Sequence, residues 1–285
     1  MALIPPFSFN CVVAIGVRKT TAHAPPQWVG TGTLIGKLFK KIAAGEGQYH
    51  IFLVTNKHVI EGYSSIVLRF SPLGNKPAKD YEIPLLDNSG KYLWREHPGQ
   101  IIDIAVIPIN ADFLKAEGVC YDFFQSDNHL MSLSEMSQAG VSEGDFIYVL
   151  GFPMGIVDLD RQFVIARSGI IARLRDTLEG HKKDFLIDAF IFPGNSGGPV
   201  IYKPEIISIG GTRSVTKPGL VGIVASYLTY KDVAISQQTG HTRSITEENS
   251  GLANVIPVDF VMETIEVCFS SLNIKEDASI RQTGS

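Results

Sequence analysis

The sequence predicts an all-β protein, a barrel or sandwich made of many short strands. Three observations lead there. Short β-branched and aromatic runs, bounded by turn residues, recur along the whole chain. Gly and Pro, 27 and 15 of 285 residues, supply the turns between them. Helical periodicity is clear in only one stretch, near the C-terminus.

In chain order, the first set of strands is Cys11–Val17, Thr31–Ile35, Ile51–Thr55, Ile66–Phe70 and Ile101–Ile107. The second set is Asp145–Leu150, Val164–Ile171, Phe185–Ile191, Pro199–Ile201, Leu220–Val224 and Leu252–Ile256. Between them, Ala111–Gly144 is polar and lacks strand alternation, so it reads as an interdomain linker with a short helix near Asp112–Glu117. The expected division is residues 1–128 and residues 129–285. The C-terminal helix is expected over Val258–Leu272, because Val261, Ile265, Cys268 and Leu272 recur at helical spacing. Asp259 in its first turn suits the positive end of the helix dipole. Lys275–Ser285 reads as a short polar tail.

Composition narrows the function. A formal net charge of −4 gives no electrostatic support for nucleic-acid binding. No apolar run approaches the ~20 residues of a membrane-spanning helix, and the N-terminus lacks a signal-peptide pattern. Cys11, Cys120 and Cys268 are too few, and odd in number, for a disulfide framework. Together these features predict a soluble, cytoplasmic protein.

Two leads close early. Gly30-Thr31-Gly32-Thr33-Leu34-Ile35-Gly36 is glycine-rich, but its spacing is not the dinucleotide fingerprint and it opens no helix. Lys182 and Lys183 beside His181 read as a solvated basic turn. No HExxH or paired Cys/His spacing is present, so no metal and no cofactor is expected.

The chemistry concentrates in three places. Pro193-Gly194-Asn195-Ser196-Gly197-Gly198-Pro199 combines a serine with glycines that let backbone N–H groups approach a substrate carbonyl. A serine needs a base, and the base needs an orienting group. Val54-Thr55-Asn56-Lys57-His58 places a histidine just past an apolar strand. Ile101-Ile102-Asp103-Ile104-Ala105-Val106-Ile107 places a carboxylate inside an apolar run, where an unpaired charge is costly. His58 is the natural partner of Asp103.

With these motifs the chain resembles the trypsin-like serine proteases. Its closer likeness is to the protease core of the Deg/HtrA branch. VTNKHVI, DIAVI, GDFIYVLGFPMG, SGIIARL, GNSGGPV and GLANVIPVDFV carry the resemblance over roughly residues 10–272. It implies the chymotrypsin-like architecture of two perpendicular six-stranded antiparallel β-barrels with an active site in the cleft between them. It implies Ser196 as nucleophile, His58 as general base then acid, and Asp103 as orienter. The backbone N–H groups of Gly194 and Ser196 would form the oxyanion hole. Ala225, Ser226 and Tyr227 would pair with an extended substrate strand, so the partner is a protein or peptide substrate.

The chain also departs from that pattern. Asn195 stands where digestive-type relatives carry an Asp that pairs with a newly released N-terminus, so proteolytic activation is not expected. Phe190 and Tyr227 imply a shallow apolar pocket preferring Val, Ala or Leu. No room is seen for an appended PDZ domain. The extra length lies in Lys37–His50, Pro72–Pro98, Lys203–Leu220 and Thr229–Ser250. Loops of that length predict gating by their ordering or by a regulatory partner protein. Two other functions compete: a catalytically idle protein-binding module on a protease fold, and a non-peptidase esterase. The His, Asp, Ser order argues against the α/β-hydrolase esterases.

Overall fold

A computed structural model describes residues 4–18, 25–42, 47–74, 76–158, 160–205, 215 and 217–272. After a helical turn, α1 (Phe7–Asn10), the first sheet contains β1 (Val12–Val17), β2 (Gln27–Lys41), β3 (Gly47–Thr55), β4 (Ser65–Pro72), β5 (Lys79–Pro84), β6 (Arg95–Glu96) and β7 (Ala105–Ile109). A second helical turn, α2 (Lys57–Ile60), follows β3, and α3 (Ala111–Ala116) follows β7. The strand order is β5-β4-β1-β2-β3-β7-β6. Two short strands join off this path: β8 (Val119–Cys120) on β4, and β9 (Phe124–Gln125) running parallel to β2.

The chain then passes through α4 (Leu133–Ala139) into the second sheet. Its strands are β10 (Phe146–Gly151), β11 (Ile165–Arg173), β12 (Phe185–Asp188), β13 (Pro199–Tyr202), β14 (Gly219–Ile235) and β15 (Thr242–Pro257), with α5 (Arg175–Leu178) between β11 and β12. These six strands close a barrel in the order β10-β11-β12-β15-β14-β13. Helix α6 (Val258–Ser271) ends the described chain. The architecture is therefore all-β with a C-terminal helix, as in the chymotrypsin fold.

The first sheet departs from the expected closed six-stranded barrel. It curls but stays open between β5 and β6–β7, and this opening holds a pocket of about 430 Å³. Apolar side chains line the gap where a closed barrel would have ladder hydrogen bonds: Phe70, Tyr81 and Ile83 with Ile107 and Ile109.

Other differences have local causes. The stretch read as a linker is largely structured. Ser132 caps α4 in a reciprocal pair with Glu135, and Gly140 ends it in a left-handed conformation. β8 and β9 use the same stretch to pair with β4 and β2. Lys37–His50 is mainly the continuation of β2 and β3, with Lys37 opposite His50. Pro72–Pro98 contains β5 and β6, and Thr229–Ser250 is a β-hairpin with a register shift between Ala234 and Ile235. Most of Lys203–Leu220, the tail from residue 273 and Met1–Leu3 lie outside the described residues.

One buried cluster joins the two sheets. Ile35, Phe52 and Val54 of the first sheet meet Leu150 and Ile223 of the second, and α6 adds Val261, Ile265 and Cys268. The helix periodicity therefore buries one face of α6, and truncating Ile265 to Ala would cost about 3 kcal/mol. Asp259 at its start accepts from the Leu133 N–H at 2.9 Å, tying α6 to α4. All three cysteines are free thiols. Among the described residues, no helix is long and apolar enough to cross a membrane.

Candidate active site

The histidine and the aspartate meet because of strand register. β3 and β7 are antiparallel, with Thr55 opposite Ala105. Residues just past the end of β3 and just before the start of β7 are therefore neighbours. His58 lies in the helical turn after β3, and Asp103 lies two residues before β7 rather than inside a strand. His58 Nδ1 is 2.5 Å from Asp103 Oδ2, and the His58 backbone N–H donates to Oδ1 at 3.1 Å. Asn56 Nδ2 donates to the Asp103 carbonyl at 2.7 Å, fixing the backbone that carries the carboxylate.

Burial is the largest single influence on the Asp103 carboxyl and pushes its pKa up. The hydrogen bond and charge of the His58 ring, with the backbone N–H groups of His58 and Lys57, outweigh it and hold the pKa below the ordinary 3.8. Asp103 is thus an ionised acceptor for the N–H at His58 Nδ1. Nε2 is left with its lone pair, as a general base requires.

Ser196 sits in the turn between β12 and β13. Gly194 and Gly197 have φ of 97° and 87°, a conformation that disfavours any side chain. A Cβ on Gly197 would lie 1.9 Å from the Thr31 carbonyl oxygen, so this approach of the serine turn to β2 is possible only for glycine. The Ser196 hydroxyl donates to the Ala225 carbonyl at 3.2 Å. Among the described residues, no hydrogen bond joins it to His58.

Two backbone N–H groups are aimed by the peptides that carry them. The Pro193 carbonyl accepts from the Met154 N–H at 2.5 Å, and the Asn195 carbonyl accepts from the Gly198 N–H at 2.9 Å. In a trans peptide the carbonyl and the following N–H point in opposite directions. The N–H groups of Gly194 and Ser196 are therefore turned away from these partners, and neither has an acceptor among the described residues. Met154 is held at φ 58°, the one positive φ of a non-glycine among the described residues. Strain of this kind concentrates where the surroundings enforce a functional geometry.

The sequence profile of the trypsin-like peptidase domain matches residues 30–204, more than half of the chain. The chain belongs to this family. No curated protein matches it. In this trypsin-like domain His58, Asp103 and Ser196 all fall inside the matched range, while β14, β15 and α6 lie beyond it.

Two threonines of the trypsin-like domain escaped the reading of the sequence. Thr31 Oγ1 donates to the Gly194 carbonyl at 2.6 Å and accepts from the Phe152 N–H at 3.2 Å. Thr31 N–H donates to the Ser196 carbonyl at 2.8 Å, and Thr33 Oγ1 donates to the Gly197 carbonyl at 2.8 Å. Residues two apart on a strand share a face. The Gly-Thr-Gly-Thr run thus puts both hydroxyls toward the serine turn, while Gly30 and Gly32 leave room for Val59 and Leu53. Its period of two, not its glycine content, was the informative signal.

The remaining residues divide. Ala225 and Ser226 line one cleft with Asp103 and Ile102. His181, Lys182, Lys183 and Asp184 line the same cleft beside Asp103, with His181, Lys182 and Lys183 solvent-exposed. Phe190 is 63% exposed, whereas Tyr227 packs half-buried on the core of the second barrel. Asn195 is fully buried, and its side-chain oxygen accepts from the Phe192 N–H at 3.1 Å. Among the described residues, no group of three His, Cys, Asp or Glu side chains is arranged to hold a metal.

Proposed function

We propose that this trypsin-like domain is a serine endopeptidase that cleaves protein substrates through an acyl-enzyme. The observation that carries the reading is the 2.5 Å His58–Asp103 pair, which borders the same cleft as Ala225, the residue bonded to the Ser196 hydroxyl. Rotation about the Ser196 Cα–Cβ bond releases the hydroxyl from Ala225. His58 Nε2 then takes its proton as Oγ attacks the substrate carbonyl. The negative charge on the tetrahedral oxygen meets the unpartnered N–H groups of Gly194 and Ser196. His58 returns the proton to the leaving amine, and water repeats the sequence on the ester.

The motif likeness supports placing the chain near the Deg/HtrA branch. Asn195 supports activity without a new N-terminus, because its amide closes the serine turn locally through Phe192. Free thiols at Cys11, Cys120 and Cys268 fit a reducing, cytoplasmic setting. The Ser196–Ala225 bond supports control of the resting enzyme by ordering of the cleft loops or by a partner. It is also the observation that favours an idle, protein-binding alternative.

One experiment separates the readings. Wild type and Ser196→Ala are treated with a fluorophosphonate probe and then given an unfolded protein. Labelling and cleavage by wild type alone are expected. An unlabelled wild type supports the idle module, and labelling without proteolysis supports an esterase.

A further inference from the structure

β14 and β15 continue as a pair far beyond the barrel. β13 covers the outer edge of β14 only over Gly219–Ile223, and β12 covers β15 only over Leu252–Val255. Beyond these points the two strands pair with each other alone, from Thr229 opposite Asn249 to Ile235 opposite Thr242. The tip is closed by the Ser236 N–H donating to the His241 carbonyl at 2.9 Å. From Ala225 to Ile235 this arm extends roughly 33 Å at about 3.3 Å per residue.

The arm begins at the reacting group, because the Ser196 hydroxyl is bonded to the Ala225 carbonyl. Its root is tied to the serine turn. Asn249 Nδ2 donates to the Ile191 carbonyl, and Ser250 Oγ donates to the Leu228 carbonyl at 2.9 Å.

Three features mark the arm as unfinished. A two-stranded ribbon standing free of a core is marginal in water, and a third strand is what stabilises it. Val233 and Ile245 are cross-strand partners yet 43% and 60% exposed, and Ile235 beyond them is 61% exposed. The outer edge of β14 from Ser226 to Ile235 contains neither Pro nor Gly, so the alternate residues whose backbone groups face away from β15 keep both an N–H and a carbonyl for strand pairing.

We propose that the outer edge of β14 from Leu228 to Ile235 is an extended binding site for substrate. Its occupant is an unstructured polypeptide segment on the N-terminal side of the cleaved bond. A segment leaving the cleft along Ala225–Tyr227 and antiparallel to β14 carries its N-terminal direction out along the arm. Residues from about the fourth to the eleventh before the cleaved bond add the missing strand through backbone hydrogen bonds. The proposal rests on the peptidase reading for its polarity. It makes the preferred substrate a long, unfolded chain and gives selection by length rather than by one side chain.

The test measures binding and cleavage separately. Fluorescent peptides share one cleaved core and carry N-terminal extensions of different length. Affinity is measured by anisotropy on Ser196→Ala, and kcat/KM on wild type. Extension by about eight residues should tighten binding at least tenfold, the scale of one or two net hydrogen bonds, and then plateau. A variant with residues 231–247 replaced by an Asn-Gly turn keeps Asn249 and Ser250. It should treat the unextended peptide as before and lose the gain. As a check independent of that variant's folding, N-methylation of alternate extension residues should weaken binding to Ser196→Ala with a period of two. Length-independent affinity, a full gain in the trimmed variant, or a dimer whose second copy covers the arm would each overturn the proposal. Loss of labelling and cleavage with length-dependent binding intact would instead sink the peptidase reading.

Discussion

The Thr31 hydroxyl donates to the Gly194 carbonyl at 2.6 Å, so a side chain from the first sheet holds the backbone of the serine turn in the second barrel. The same oxygen accepts from Phe152, making Thr31 a joint between β2, the end of β10 and that turn. Thr31→Val keeps the shape and removes both bonds. Two buried groups then lose their partner, at about 1–3 kcal/mol each. The expected outcome is a loss of about 3 kcal/mol in denaturant unfolding. kcat should fall at least tenfold with little change in KM, because the Gly194 peptide loses its anchor. Thr33→Val, which releases only Gly197, should cost less in both assays.

Asp103→Asn tests the orienter. An amide presents a donor where the carboxylate accepted from His58, favouring the tautomer with the proton on Nε2. By analogy with the well-studied triad, turnover should fall by about 10⁴-fold while KM stays within about twofold. Fluorophosphonate labelling should slow in parallel. Near-normal turnover would exclude Asp103 from the site.

Asn195→Asp tests the departure from digestive-type relatives. The side chain is fully buried, and its nitrogen has no hydrogen-bond partner among the described residues. A carboxylate there would keep the Phe192 N–H on one oxygen while its charge is held out of water. The variant should be destabilised by about 3 kcal/mol at neutral pH, with recovery as the pH falls and the carboxyl is neutralised. A calorimetric scan at two pH values checks this.

Asp103 and Asp259 should give opposite acid responses. His58 and nearby N–H groups hold the Asp103 pKa low, so its contribution to stability is present at neutral pH and lost as pH falls through that lowered value. Burial, aided by Glu263 and Glu135, pushes Asp259 up despite its bond from Leu133. In the folded state Asp259 therefore favours protonation, and its contribution declines as pH rises from the ordinary 3.8 through the raised value. Asp259→Asn keeps an acceptor for Leu133 and removes the charge. Its melting temperature should match or exceed that of wild type at pH 7, with the advantage shrinking toward pH 4. An advantage that grew on acidification would contradict the assignment.

The strand content, the C-terminal helix and the chemical identities at His58, Asp103 and Ser196 were legible in the chain because local periodicity and short motifs encode them. α6 is the simplest case: Val261, Ile265 and Cys268 at helical spacing predicted the face that packs between the sheets, whereas Leu272 falls one residue past the helix and is exposed. The Asp103 segment was read as strand because its neighbours are apolar. The strand starts only at Ala105, since Asp103 needs its backbone and side chain turned toward Asn56 and His58.

Pairing across long separations was not legible. Nothing near Thr31 announces Gly194, because that bond exists only once two sheets have packed, and nothing near Asn249 announces Ile191, because that one exists only once the second barrel has closed. Phe190 reads as a pocket wall by its distance from Ser196 in the chain, yet its ring is solvent-exposed in the fold. The Thr229–Ser250 stretch could be counted as extra length, but whether it forms a loop or an arm depends on register propagated from β14 and β15 inside the barrel. By itself, then, the sequence determined the class of fold and pointed to the candidate side chains His58, Asp103 and Ser196, because each depends on local pattern. Only the tertiary structure decided where the first sheet stays open, what grips the serine turn and that the cleft continues onto an unpaired edge. Those are properties of surfaces brought together by burial, not of any segment alone.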